Sequence, residues 1–238
     1  MNKIEKATAR LHFLRGGKPK DYIKSDQVLV YHHIPKCGGQ SLSYALRRWY
    51  WVIKNYKVKE DKKVNLTKLR NINCLIGHYH FDGIYLHQIY PEILESDNFK
   101  LISFLRDPLQ TRISLYYYEE RIGIKHELSL EEDLLTRPNF MSKCFPCNED
   151  NYQEVLERYS FIGLLERQDE SIEKLRKLLN KPKVSFPKVN KTARKQSVIS
   201  DDVTAKFKEI NRLDYLIYTY AEKKYFYYAS KALQDVEK

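Results

Sequence analysis

The stretch that most constrains this chain runs from Val28 to Trp49, VLVYHHIPKCGGQSLSYALRRW. Val28, Leu29, Val30 and Tyr31 predict a buried strand, because β-branched and aromatic side chains fit a pleated surface. Ile34 and Pro35 end it, since proline has no N–H to give to the next ladder bond. Lys36-Cys37-Gly38-Gly39-Gln40-Ser41 then forms a tight turn. From about Ser41, Leu42, Ala45, Leu46 and Trp49 recur at helical spacing, which predicts a helix reaching about Val52. A strand, a glycine turn and a helix together hold phosphates. The turn lets backbone N–H groups converge, and the helix start adds unpaired donors and the positive end of its dipole. The turn is not a Walker A loop, in which Gly-Lys-Ser/Thr follows the glycines. Here Lys36 precedes them.

Charge narrows the partners. The 238 residues carry 42 Lys+Arg against 31 Asp+Glu, a net +11, so anionic ligands are favoured. Charge alone does not choose among nucleic acid, an acidic membrane, a nucleotide and an acidic polysaccharide. Many lysines sit among acids, as in Lys206-Phe207-Lys208-Glu209, and read as solvated helix faces. The nineteen tyrosines cluster in helical segments such as Tyr116-Tyr117-Tyr118, where packing explains them, so nucleic-acid binding is not the expectation. No run of about 18 apolar residues predicts a membrane span, and the charged N-terminus has no apolar core of a secretory signal.

Four cysteines make no disulfide scaffold at this length. Cys144 and Cys147 form a lone CxxC without the further ligands of a structural zinc. Phe145-Pro146 between them argues against the helix start of a redox motif, so a loop without catalytic role is expected.

The remaining elements follow in order. Residues 1–26 read as an irregular, basic lead-in and 27–238 as a single domain. Leu66–Leu69 predicts a helical turn, Ile72–Ile76 a strand, and Gly83–Glu95 two helical turns broken at Pro91. Phe99–Leu105 is a buried strand. Asp107 caps a helix that opens on Pro108 and runs to about Ile122. Ser129-Leu130-Glu131-Glu132 has capping-box spacing. Asn151–Tyr159 reads as a helix and Phe161–Leu165 as a strand. Asp169 is the expected cap of a helix ending near Pro182. Phe186–Gln196 is a basic loop. Helices over Asp201–Asn211 and Asp214–Lys231 finish the chain. Short apolar strands alternating with helices predict an α/β fold with a central parallel sheet flanked by helices on both faces and phosphate sites at the strands' carboxyl ends.

Against this background PKCGGQSL resembles the 5′-phosphosulfate loop of sulfotransferases. The form HIPKxGGxSL is most similar to glycan O-sulfotransferases related to heparan sulfate 2-O-sulfotransferase. RDPLQTRISLYY, from Arg106, resembles the family's RDPxxRxxSxYY segment, except that the second arginine falls at Arg112 rather than at Thr111. Phe161–Arg167 and Val189–Lys195 resemble two further family segments. The resemblance implies a P-loop-NTPase-like three-layer fold and 3′-phosphoadenosine 5′-phosphosulfate (PAPS) as donor. Lys36, Cys37, Gly38, Gly39, Gln40 and Ser41 would hold the 5′-phosphate, with Gln40 standing where the family usually has threonine. Arg106 and Ser114 would hold the 3′-phosphate, and Arg194 and Lys195 would clamp it from the later loop. Arg112, two residues from Ser114, is expected to point elsewhere, into a structural ion pair.

Sulfuryl transfer needs in-line alignment, charge neutralisation on the leaving group and a base for the acceptor hydroxyl. Lys36 is the candidate for the leaving group. His78, in IGHYHF, resembles the GH segment in which relatives place a catalytic histidine. His80 shares its side of an extended segment and is the alternative, and Glu119 or Glu120 is a fallback. His33, beside the turn, reads as packing. No metal is required, because the donor is already activated. The implied acceptor is a carbohydrate, and an acidic one suits the charge. A bacterial-type cytoplasmic enzyme is the expectation, with a lumenal domain trimmed of its anchor as the alternative. The competing reading is a nucleotide-binding relative without catalysis.

Overall fold

Five strands, β1 (Val28–His32), β2 (Trp51–Lys54), β3 (Asn73–Gly77), β4 (Phe99–Leu105) and β5 (Phe161–Leu164), form one sheet in the order β2-β3-β1-β4-β5. All four pairings are parallel. The structure is a computed structural model and describes residues 27–56, 63–79, 85–184 and 198–228. The lead-in, His80, Arg194 and Lys195 lie outside the described residues.

Alternation along the central strand explains why both faces are covered. Leu29 and Tyr31 face one layer, where they pack with Leu42, Ala45, Leu46 and Trp49 of α1 (Gly39–Trp49) and Ile172 and Leu175 of α7 (Gln168–Leu178). Val30 faces the other, shared by α2 (Leu86–Ile89), α3 (Glu92–Glu95), α6 (Tyr152–Glu157) and α9 (Arg212–Glu222) through Leu86, Ile93, Leu156 and Ile217. His32 points to that second layer. It is fully buried, and its Nδ1 lies 2.7 Å from the Tyr159 hydroxyl. The result is the P-loop-like three-layer α/β fold expected from the sequence.

The strand order places a switch in direction between β1 and β4. From β1 the chain leaves through α1 towards β2, on one edge. From β4 it leaves through α4 (Pro108–Arg121) towards β5, on the other. A crevice opens where two neighbouring strands send their connections in opposite directions, and ligands of open α/β sheets settle there.

Local signals place most helices. Asp107 Oδ1 accepts the Gln110 N–H at 2.9 Å, with Pro108 in the first turn of α4. Ser129 and Glu132 close the capping box of α5 (Leu130–Leu134). Ser200 caps α8 (Asp201–Ile210). Three expectations are corrected. The first helix stops at Trp49, where Tyr50 turns extended, and Trp51–Lys54 is an edge strand whose Val52 and Ile53 pair with Cys74 and Leu75. Their β-branched side chains belong to that ladder, not to a helix. Helix α7 begins at Gln168, with Arg167 rather than Asp169 at its cap, and ends at Leu178. The last helix starts at Arg212 rather than Asp214, because Asp214 is turned inward, where its carboxylate accepts the Met141 and Ser142 N–H groups at 2.8 and 2.7 Å. It passes into a π-helical segment, Lys223–Tyr228.

Arg112 enters a structural ion pair, as its spacing implied. It is 1% exposed and donates to Asp133 Oδ2 at 2.9 Å. Burial pulls the guanidinium below its ordinary range, and neighbouring Arg137 adds to this, while Asp133 opposes both. Arg137 bridges Asp133 and Glu119, so α4 and α5 are locked together. Replacing one partner of a buried pair leaves the other charge uncompensated. Arg112→Met is expected to lower the unfolding free energy by about 3 kcal/mol in urea titrations. The double variant Arg112→Met, Asp133→Leu is expected to recover part of that loss. A single variant as stable as the parent would contradict the assignment.

Candidate active site at the end of strands 1 and 4

The turn after β1 is built for close approach. Lys36 and Gly38 both adopt positive φ, 66° and 82°. Gly38 is the residue before α1, and a Cβ there would lie 2.6 Å from Leu165 Cδ1. Gly39 opens the helix, and a Cβ on it would lie 1.8 Å from His33 Nε2. Gly38 is thus called for by its left-handed backbone, and a side chain on Gly39 would have to displace the His33 ring. The first N–H groups of α1 have no acceptor within the helix, and no acidic residue stands in its first turn. Such a helix start accommodates an anion. The side chains of Gln40 and Ser41 lie outside what the structure describes, so only their backbone positions on α1 bear on the site.

Cys37 points inward. It is fully buried, with Sγ 3.9 Å from Thr111 Oγ1 of α4. Burial pushes its thiol up to about 12, partly offset by Thr111 and by the positive charge of Arg106. The thiol therefore stays protonated near neutral pH, and only the backbone of Cys37 can serve a ligand. Thr111, where the family's second arginine would stand, is 1% exposed against Cys37, and Arg112 one place later goes into the core.

The turn and α4 therefore touch. Lys36 Nζ lies 4.2 Å from the centroid of the Tyr118 ring, a cation–π contact. Arg121 stands over the same ring at 5.5 Å. Ser114 is one helical turn before Tyr118 and shares its face. Arg106 leaves β4 at the base of this face, 5% exposed. Asp107 beside it is held by its own N–H, which donates to Glu166 Oε1 at 3.0 Å, and Glu166 in turn accepts from Tyr218 at 3.1 Å. The structure so sets the Lys36–Gly39 turn against α4, through Cys37 with Thr111 and Lys36 with Tyr118, and Arg106 lies near enough to Cys37 to offset the rise in its thiol. Positive charge thus stands beyond both strand ends, on Lys36 and on the buried Arg106.

His78 lies on the same side. It follows β3, and Tyr79 after it turns into the core beside His32. By alternation His78 faces the α1 layer. Its ring is 4.4 Å from the His33 ring, edge to face, and 4.7 Å from the Tyr56 ring. His33 stacks on Tyr31 at 5.2 Å and abuts Gly39. His78 is thus a single ring removed from the glycine turn. The fallback Glu119 is engaged elsewhere. Arg137 donates to its two oxygens at 3.1 and 3.0 Å, and Glu120 is exposed.

Sequence reasoning gave His33 a packing role and overlooked its partner. The signal was present, since His33, one residue past β1, falls on the same side as Tyr31 by alternation, and Gly39 begins the helix covering that side. The Tyr118 contact with Lys36 was also missed, although the spacing of four from Ser114 could have found it. Cys144 and Cys147 are both reduced, and burial raises both thiols, Cys147 to about 12. Among the described residues no group of three or more His, Cys, Asp or Glu is placed to hold a metal, and no helix is long and apolar enough to cross a membrane.

Comparison with known proteins follows the same lines. No curated protein matches the chain. Among solved structures, a sulfotransferase from Alicyclobacillus acidocaldarius shares the fold, with a TM-score of 0.51 and 12% identity over 84% of this chain and 95% of that one. Mouse sulfotransferase SULT7A1, solved in complex with PAP, gives a TM-score of 0.45 and 13% identity over 85% of this chain and 70% of its own. The profile of the Sulfotransferase family matches residues 21–221, most of the sequence, and by that match the chain belongs to the sulfotransferase family.

Proposed function

We propose that this chain moves the sulfuryl group of PAPS onto a hydroxyl of a carbohydrate, with residues 27–238 acting as one transferase domain. The observation that carries the reading is the meeting of two strand ends. The Gly38–Gly39 backbone, Arg106 and the Ser114 face converge, with His78 one ring away. Membership of the family supplies the reaction class. The carbohydrate acceptor rests on the likeness of HIPKCGGQSL and the Gly77-His78 pair to glycan O-sulfotransferases.

The N–H groups from Gly38 to Ser41 would hold the 5′-phosphate, and Arg106 with Ser114 the 3′-phosphate, a forked cation plus a hydroxyl donor. Arg194 and Lys195 are the candidates to close over the nucleotide. His78 would take the proton of the acceptor hydroxyl as its oxygen attacks sulfur. The bond between sulfur and the bridging oxygen of the 5′-phosphate breaks, and Lys36 would neutralise the charge that develops on that oxygen. The products are a sulfate ester and adenosine 3′,5′-bisphosphate. Tyr118 serves as a dock for the Lys36 ammonium, and His33 fixes the distance between the turn and His78.

Radiolabelled PAPS with a panel of acceptors tests the reaction. Lys36→Ala is expected to lower kcat by about 10²–10³-fold, and His78→Ala by about 10²–10⁴-fold, with circular dichroism unchanged in both. Persistent activity in both variants would reject the assignment of roles. Tight bisphosphate binding with no turnover on any acceptor would instead identify a nucleotide-binding relative without catalysis.

The contact between Gly39 and His33 gives a separate test. In Gly39→Ala the new methyl collides with the imidazole, and bisphosphate affinity by calorimetry is expected to fall about tenfold or more, at least 1.4 kcal/mol. Adding His33→Ala removes the collision and is expected to restore most of the affinity. Parental affinity in the Gly39→Ala variant would show that the turn does not hold the nucleotide.

A further inference from the structure

We propose that His33 is a second working imidazole of the site: it takes up a proton as the nucleotide binds and donates it, from Nε2, in a hydrogen bond to the 5′-phosphate. The inference rests on the reading of the glycine turn as the 5′-phosphate site and adds a side chain to it.

The position of the ring follows from Gly39. A Cβ on that residue would lie 1.8 Å from His33 Nε2 and 2.3 Å from Cε1, so the nitrogen stands within about 3.3 Å of the Gly39 Cα. In a helix the Cα–Cβ bond leans towards the N-terminus. Gly39 opens α1, so Nε2 flanks the helix end where N–H groups without intrahelical acceptors gather. The ring is held there before any ligand arrives. The His33 backbone N–H donates to the Gly77 carbonyl at 2.9 Å. Its ring stacks on Tyr31 at 5.2 Å, and the Tyr56 and His78 rings meet it edge to face at 6.2 and 4.4 Å.

The surroundings give the two histidines different work. The first turn of α1 carries the positive end of the helix dipole and no acidic residue. Around the ring stand the hydroxyls of Tyr31 and Tyr56 and the thiols of Cys37 and Cys74. Burial raises all four, so they stay neutral near pH 7. Arg47 of α1, which acts on Tyr56, and His78 complete the set. A bound phosphate reverses the field at the helix end. An imidazolium at His33 then gains the anion on one side and the face of the Tyr31 ring on the other. Two imidazoles 4.4 Å apart resist carrying charge together. With the proton on His33, His78 stays neutral, the form a base needs. The proton comes from water, and no bond of the donor is made or broken in this step.

Calorimetry of adenosine 3′,5′-bisphosphate binding to the full chain, in buffers of different ionisation enthalpy, counts the protons exchanged. The ligand has an ionisation of its own at about pH 6. Parent and variants share it, so the differences between them report the imidazole. At about pH 7.5 the parent is expected to take up roughly half a proton more than His33→Gln. Its affinity advantage over that variant is expected to be full at about pH 6 and to shrink about tenfold by about pH 8.5. The sign follows because a proton held more tightly in the complex aids binding below the free imidazole's range and ceases to aid it above the bound one's. His78→Gln is expected to keep the uptake. In the Gly39→Ala, His33→Ala pair the restored affinity is then expected to be fuller at the alkaline end. Histidine-ring NMR of the parent needs no variant to fold: the His33 ring is expected to titrate about one pH unit higher with bisphosphate bound, and the His78 ring no higher. Equal uptake in the parent and His33→Gln, or uptake lost only in His78→Gln, would overturn the inference while the nucleotide site stands. Failure of the bisphosphate to bind at any pH would remove the nucleotide site itself, and this role with it.

Discussion

The parallel pairing of β1 with β4 is the constraint on which everything else rests. Residues Val28–His32 run beside Phe99–Ser103 in register, so the two strands end side by side. Because their connections depart in opposite directions, nothing of the chain between them needs to cover the gap. The turn at Lys36–Gly39 and the start of α4 at Asp107 become the two banks of one crevice. The contact of Cys37 with Thr111, and of Lys36 with Tyr118, shows how narrow that crevice is. A helix start on one bank and a buried arginine on the other then follow from chain direction alone.

The glycines at 38 and 39 illustrate how a short motif carries more than one demand. Gly38 is needed because the backbone turns left-handed there. Gly39 is needed because the His33 imidazole, one residue past β1, occupies the space of its side chain. The second demand ties the glycine turn to the His33–His78 ring pair, so the geometry of one fixes the geometry of the other. Interior charges serve a different purpose. Arg112, Asp133, Arg137 and Glu119 brace α4 against α5, and α4 is the helix that presents Ser114 and Tyr118.

Much of this was legible in the residues. The short apolar runs gave four of the five strands, and Asp107-Pro108, Ser129-Glu132 and Ser200 marked helix starts through local hydrogen bonds that depend on few neighbours. The glycine turn reads as an anion site from its backbone alone, whereas phosphate roles for Arg106 and Ser114 rest on the family resemblance. What failed was decided by tertiary contacts. Trp51–Lys54 continues the helical pattern in one dimension, yet an open edge beside β3 claims it as a strand. Asp214 has the look of an exposed helix cap, yet two backbone N–H groups draw it inside. The contact of His33 with Gly39 joins residues on different elements, so no local pattern in the sequence announces it.

The account stands on both banks of the crevice gripping one nucleotide. Amide resonances of ¹⁵N-labelled protein titrated with adenosine 3′,5′-bisphosphate report on each bank separately. The account predicts that Gly38 and Gly39 shift together with residues from Arg106 to Ser114, along a single binding curve. Shifts confined to one bank, or two groups following different dissociation constants, would contradict it.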